Sequence, residues 1–336
     1  MTTLKEKRNF KNTKQYLTNM PKTIIKLENI SKSFGKHNVL KGIDLNIQEG
    51  EIYGIIGMSG SGKSTILSVM ADLIRQDKGT IKYHLGNSND FFQLSEKADK
   101  IKKLLGYSFQ IPSFHDMLTV EENIKHFSTL YGLPKKFGET NADLLLKMVE
   151  LSDAKHVLGK DLSGGMQKRL CFACALVHSP KILFLDEPTA NLDPVLRKST
   201  WEVLKKINAK GTTIVIASQL LTELDTFCDR ICIVHKGKII KEGPVEKIKK
   251  DYSLDLEIHL KSEPGNYKKI ITEIKKSKLA VDKLVNEMDQ LVIYSKEGEV
   301  TLHKLIHILE KVKENPIYID LKKPPLSEIF TSLIQK

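Results

Sequence analysis

One short stretch limits the fold more than any other. Gly57-Met58-Ser59-Gly60-Ser61-Gly62-Lys63-Ser64-Thr65 stands between the apolar run 52–56 and a helical stretch, 65–75. A strand that runs into a glycine-rich turn and then a helix is the setting of a phosphate-binding loop. Glycines let the main chain wrap closely enough for successive N–H groups to face phosphate oxygens, and the helix dipole adds to that field. Lys63 is placed to reach the β- and γ-phosphates of a nucleoside triphosphate, and the Ser64 hydroxyl to bind Mg2+. Such a loop demands an α/β core, a sheet flanked by helices with its carboxyl edge open to the ligand.

A second segment answers the first. Ile182-Leu183-Phe184-Leu185 runs directly into Asp186-Glu187, the pattern of a buried strand that delivers a carboxylate at its carboxyl end, beside the loop. Asp186 would hold Mg2+, directly or through water, and Glu187 would polarise the attacking water. An acidic pair after a strand is common by itself, and its value here comes from partnering Lys63.

The chain has 336 residues, enough for a large domain and a smaller one. With 40% hydrophobic and 28% charged residues it reads as globular rather than disordered. The apolar runs are strand-sized, none approaches the ~18–20 residues of a membrane span, and the first twenty residues lack the apolar core of a secretory signal. A soluble, cytoplasmic chain is expected. The net charge of +12 is concentrated partly in residues 1–22, a basic tail expected to be a disordered arm, which could also lie against an anionic membrane face. Only five of the 53 basic residues are Arg, and the forked guanidinium is the group that base readout favours. No specific nucleic acid is therefore expected as a partner. The cysteines Cys171, Cys174, Cys228 and Cys232 fall in apolar stretches without a glycine-rich knuckle around them, and are read as buried thiols rather than metal ligands or disulfides. His303 and His307 share one helix face without a matching carboxylate or Cys, and are read as solvent-exposed.

Along the chain, 24–30 reads as a strand, 31–38 as a turn-rich link, 118–178 as mostly helical, and 182–185, 213–217, 231–234 and 238–240 as short strands. The pattern changes near 244–253. Beyond it come strand 256–260, helix 267–276, strands 283–288 and 291–295, helix 300–312 and strand 317–321, with a closing helix at 326–334. The order βαββαβ is the ferredoxin-like unit.

A third signal is Leu162-Ser163-Gly164-Gly165, ahead of an apolar helix. Exposed N–H groups and a hydroxyl at a helix N-terminus make another anion site. With the loop at 57–65 and Asp186-Glu187, in this order and spacing, residues 24–245 resemble the ATP-binding cassette (ABC) ATPases. The resemblance implies ATP and Mg2+ as ligands and a head-to-tail dimer with a second cassette, homotypic or mixed, in which each loop faces the partner's Ser-Gly-Gly. It also matches Phe34 to the aromatic that stacks on adenine, and Gln110 to the glutamine that touches Mg2+ and relays nucleotide state to a membrane partner. Asn191-Leu192-Asp193 is similar to the loop that communicates across the dimer, with Asp193 its key residue, and Leu118-Thr119-Val120 with Glu122-Asn123 are similar to the family too. Each of these positions has an ordinary alternative as a surface polar or core aromatic residue.

Two positions depart from the pattern. Met166-Gln167 stands where a glutamine often follows the second glycine, a change expected to be nearly silent because the contacts there are main-chain and hydroxyl. The second departure is Gln219, in Ala217-Ser218-Gln219-Leu220, where the family usually has a histidine. An amide donates a hydrogen bond but carries neither a proton nor a positive charge, so turnover about 10²-fold lower is expected, with a tolerated Gln of modest effect as the alternative.

The segment 251–336, with Pro325-Leu326-Ser327-Glu328-Ile329-Phe330 near its end, resembles the carboxy-terminal extension of export-type cassettes, which pair with separate integral-membrane permeases. The resulting expectation is a P-loop cassette at 23–245 with a helical subdomain at about 112–178, followed by a small α+β ferredoxin-like domain at 251–336. Its activity would be ATP hydrolysis powering export, peripheral on the inner face of the cell membrane. A non-hydrolysing regulatory cassette in a mixed dimer, or a soluble ABC protein acting on ribosomes or nucleic acid, are the alternatives.

Overall fold

The computed structural model describes residues 22–84, 90–252, 256–277, 279–287, 289–322 and 326–334. The expected basic arm at 1–22, apart from Lys22, lies outside them, as do Met288 and Pro325. The chain divides into two compact units, one taking residues up to 220 and 227–241, the other 221–226 and 242 onward.

The first unit begins with a long antiparallel hairpin, β1 (Thr23–Phe34) and β2 (His37–Gln48). Ile25, Leu27 and Ile30 from one strand and Leu40, Ile43, Leu45 and Ile47 from the other are buried. The segment 31–38, expected as a turn-rich link, is mostly strand: Ser31, Lys32 and Ser33 pair with Lys41, Leu40 and Asn38, and only Gly35-Lys36 turn. Polar residues on the outer side of a hairpin carry the same composition as a loop, and the sequence alone did not separate the two. Next come β3 (Ile52–Ile56), buried throughout, and α1 (Lys63–Met70). Helix α1 ends before the expected residue 75, since Asp72 takes a left-handed conformation (φ 56°). Strands β4 (Lys78–His84) and β5 (Phe91–Gln93), helix α2 (Leu94–Lys102) and strand β6 (Leu105–Ser108) follow without a motif to announce them. The expected helical region resolves into α3 (Val120–Leu130), α4 (Lys135–Met148) and α5 (Gly164–Leu176). Then come β7 (Ile182–Asp186), α6 (Pro194–Asn208), β8 (Thr213–Ser218), α7 (Leu221–Phe227), whose residues 221–226 belong to the second unit, β9 (Arg230–His235) and β10 (Lys238–Pro244), which passes into the second unit at 242.

Two sheets result. One is antiparallel, in the order β2-β1-β4-β5; the other has six strands in the order β10-β9-β3-β8-β7-β6. In the second, β3 runs parallel to β8 and β9, and β7 parallel to β6 and β8. Strands covered on both faces need unbroken apolar runs, which is why 52–56, 182–185 and 213–217 read so clearly. The parallel order also brings the carboxyl ends of β3, β7 and β8 together. At the opposite end, Ile52 N–H donates to Asp229 Oδ2 at 2.8 Å, and Arg230 Nη1 lies 3.1 Å from Glu51 Oε1. Cys171, Cys174, Cys228 and Cys232 are buried thiols.

The second unit holds α8 (Val245–Tyr252), β11 (Leu256–Glu263), α9 (Tyr267–Lys276), β12 (Lys283–Glu287), β13 (Gln290–Ser295), α10 (Gly298–Val312), β14 (Asn315–Lys322) and α11 (Leu326–Ile334). Its sheet is antiparallel in the order β12-β13-β11-β14, the ferredoxin-like arrangement. Ile258, Leu260, Leu291 and Ile293 meet Ile270, Ile274, Leu305 and Leu309 of α9 and α10 in one core. His303 and His307 face solvent on α10. Among the described residues no helix is long and apolar enough to cross a membrane.

Candidate functional site

The site is built at the carboxyl ends of β3, β7 and β8. Gly57 follows β3 where a methyl group would lie 2.6 Å from the Val234 main-chain oxygen and 2.4 Å from Ser61 Oγ, so the loop has no room for a side chain there. Gly62, at φ 109°, turns the chain into α1, a conformation only glycine adopts without strain. Lys63 is only 7% exposed, and its Nζ folds back to donate to the main-chain oxygens of Gly57 (2.9 Å) and Met58 (3.2 Å). The ammonium thereby sits at the centre of the loop's curve, and lies 3.7 Å from Glu187 Oε1.

Strand β7 delivers Asp186 and Glu187 as expected from its apolar run. Ser64 Oγ donates to Asp186 Oδ1 at 3.0 Å. Burial raises the Asp186 carboxyl above its usual range, against the opposing pull of the Ser64 hydrogen bond and the Lys63 and Lys168 ammoniums. Glu187 occupies a left-handed conformation (φ 46°), where a non-glycine residue stores strain. Its Oε2 accepts from Ser218 Oγ (3.2 Å) and from the Gln219 main-chain N–H (3.3 Å), and its own N–H donates to the Ala217 oxygen (2.9 Å). The carboxylate is therefore aimed by β8 as much as by its own strand.

Lys63, Ser64 and Glu187 line a cleft of about 400 Å³ with Phe34, Ser59, Gly60, Gly62, Thr65, Gln110 and Gln219, together with His37 and Val39, whereas Asp186 is not among its lining residues. Phe34 is 48% exposed at the cleft, with Lys32 Nζ 5.4 Å from its ring centre. Gly57 and Ser61 are buried beneath the loop. His37 and Val39 escaped the sequence reading. Their signal was the two-residue hairpin turn, which places residue 37 directly across from Phe34.

Other candidates lie outside the cleft. Ser163 is the N-cap of α5, its Oγ accepting from Met166 N–H, and Gly164 has open space beside it. Gly165 packs against Leu196, where a methyl would come within 3.0 Å. Asp193 caps α6 by accepting from the Val195 and Leu196 N–H groups, a structural task that sequence matching did not foresee. Thr119 and Glu122 form a capping box on α3, and the buried Asn123 amide binds the oxygens of His115, Leu118 and Thr119.

One contributor was missed altogether. Lys168 of α5 is only 7% exposed and donates to the Gln110 main-chain oxygen. Burial pushes its pKa down, opposed by the nearby Cys171, Asp186 and Glu187.

The raised Asp186 pKa has a measurable sign. The folded chain binds this proton more tightly than the unfolded chain. Stability therefore falls as pH rises from the usual aspartate range through the raised value, and stays lower above it. Without nucleotide or divalent cation, Asp186→Asn should melt about 2–4 °C above the wild type at pH 7, and the gap should close below about pH 4. Equal melting temperatures at both pH values would count against this account of Asp186.

The model of the ABC transporter family matches residues 40–190. The chain is 35% identical over 224 residues, 66% of its own length and 70% of the relative's, to the uncharacterized ABC transporter ATP-binding protein YdbJ of Bacillus subtilis. It is 28% identical over 314 residues to the daunorubicin resistance ATP-binding protein DrrA3 of Streptomyces coeruleorubidus, covering 94% of this chain and 96% of that one. Among solved structures, cbiO1 from Clostridium perfringens, part of the ABC transporter complex cbiONQ, aligns with a TM-score of 0.62 at 26% identity, over 77% of this chain and 96% of that chain.

Proposed function

Since the chain belongs to the ABC transporter family, as an ATP-binding subunit, we propose that it hydrolyses ATP slowly to power export through a separate integral-membrane permease. The observation that carries this reading is the convergence of Lys63, Ser64, Gln110, Glu187 and Gln219 on one cleft. Export is supported by the relative that matches nearly the whole chain, second unit included, and is named for daunorubicin resistance.

In this reading the loop N–H groups and Lys63 hold the β- and γ-phosphates, and Phe34 stacks on the adenine. Ser64 Oγ, Asp186 and Gln110 would supply hard oxygen donors to one cation, a reading supported by the 3.0 Å contact between the first two. Mg2+ held by these residues would supply positive charge to offset that of the phosphates. Glu187 orients the attacking water and draws on its proton, while Ser218 and the Gln219 N–H keep the carboxylate aimed. The Gln219 side chain donates to the γ-phosphate without bringing positive charge, hence the slow turnover. Ser163, Gly164 and Gly165 would close the site of a second cassette in a head-to-tail dimer, with Asp193 at the junction. A regulatory cassette that depends on a more active partner is the second reading, and Gln219 alone favours it.

Purified chain should hydrolyse ATP slowly, and Gln219→His should raise turnover several-fold. An unchanged rate would reject Gln219 as the limiting position. A wild type that binds ATP yet stays silent until residue 219 is His would support the regulatory reading. Membrane fractionation that recovers the chain with an integral-membrane partner tests the proposed place at the inner face of the membrane.

A further inference from the structure

Lys168 is a buried ammonium, and among the described residues it has no carboxylate within ion-pair distance. Burying a charge in that way is costly, so the position calls for a compensating role. Two features point to one. The ammonium sits on α5, five residues beyond Ser163, and its hydrogen bond goes to the main-chain oxygen of Gln110, whose residue lines the cleft. The carboxylates that offset its charge are Asp186 and Glu187. One side chain therefore touches the Gln110 loop, lies in the field of the acidic pair and belongs to the helix that Ser163 begins.

We infer that Lys168 is a positioning residue: it sets the place of Gln110 at the cation side of the nucleotide cleft and ties that loop to the helix headed by Ser163, Gly164 and Gly165. The inference rests on the ATP-and-Mg2+ reading given above.

The test is the affinity of the full chain for ATP, measured by fluorescence titration with a labelled ATP in Mg2+ and in EDTA. Lys168→Met preserves stem length and removes the donor; Lys168→Gln keeps a donor without the charge; melting curves establish that each variant is folded. In Lys168→Met the tightening of ATP binding by Mg2+ should shrink by about 10-fold or more, with the affinity in EDTA unchanged. Lys168→Gln should recover most of it. A wild-type Mg2+ effect in Lys168→Met, or equal weakening of both variants with and without Mg2+, overturns the inference while leaving the ATP-binding reading of the chain in place. Failure of the wild type to bind ATP in either buffer would instead remove the functional reading, and this inference with it.

Discussion

Glu187→Gln should cut ATP turnover by about 10³-fold and leave ATP affinity undiminished. The two hydrogen bonds that aim the side chain come from donors, Ser218 Oγ and the Gln219 N–H, and a carboxamide oxygen accepts them as well as a carboxylate oxygen. The strained main chain at φ 46° is unaffected by the exchange. On the proposed reading, what disappears is the negative charge that would draw on the water's proton, along with the 3.7 Å attraction on Lys63. Freed from that pull, the ammonium is more available to phosphate, so binding should hold or tighten. Single-turnover hydrolysis alongside equilibrium ATP binding separates the two effects. Parallel loss of both would mean that residue 187 shapes the pocket rather than acting on water.

Lys63→Ala should have the reverse signature, with ATP affinity falling by about 100-fold, as expected on losing a charge-assisted contact to phosphate. The substitution also removes the donor that both the Gly57 and Met58 oxygens share, so the loop loses the group around which it curves. Equilibrium titration with ATP and with ADP checks this. The loss should be smaller for ADP, which lacks the γ-phosphate. An affinity within a few-fold of wild type would show that the loop's N–H groups suffice without the lysine.

The legible parts of this molecule were those whose chemistry is local. Residues 57–65 announce themselves because a turn built to wrap phosphate needs glycine where no side chain fits, and the structure leaves no room for one at Gly57 and holds Gly62 at a positive φ. The buried parallel strands were legible as apolar runs, and the second unit by its alternation of strand and helix patterns. Segment 76–110 was not. Lys78-Gly79-Thr80 opens β4 with polar residues, and its pairing with β1, far back in the chain, leaves no periodic trace. Phe34 and Gln110 were found through resemblance alone, because neither residue type is unusual where it stands. Lys168 was hidden by the abundance of lysine in the chain. Its helical register was the signal that went unused, since Gly165, Lys168 and Phe172 fall on one buried face of α5.

The sheet order has a consequence for how the protein is made. Strand β3 pairs with β8 and β9, and the hydrogen bond from Ile52 to Asp229 spans 177 residues. On the ribosome, at about 5–20 residues per second, β3 waits on the order of 10–40 s for those neighbours to be synthesised. Until synthesis has passed residue 218 the apolar strand leading into the nucleotide loop has no lateral partner in its own sheet, and its second edge stays open until β9 is complete at residue 235.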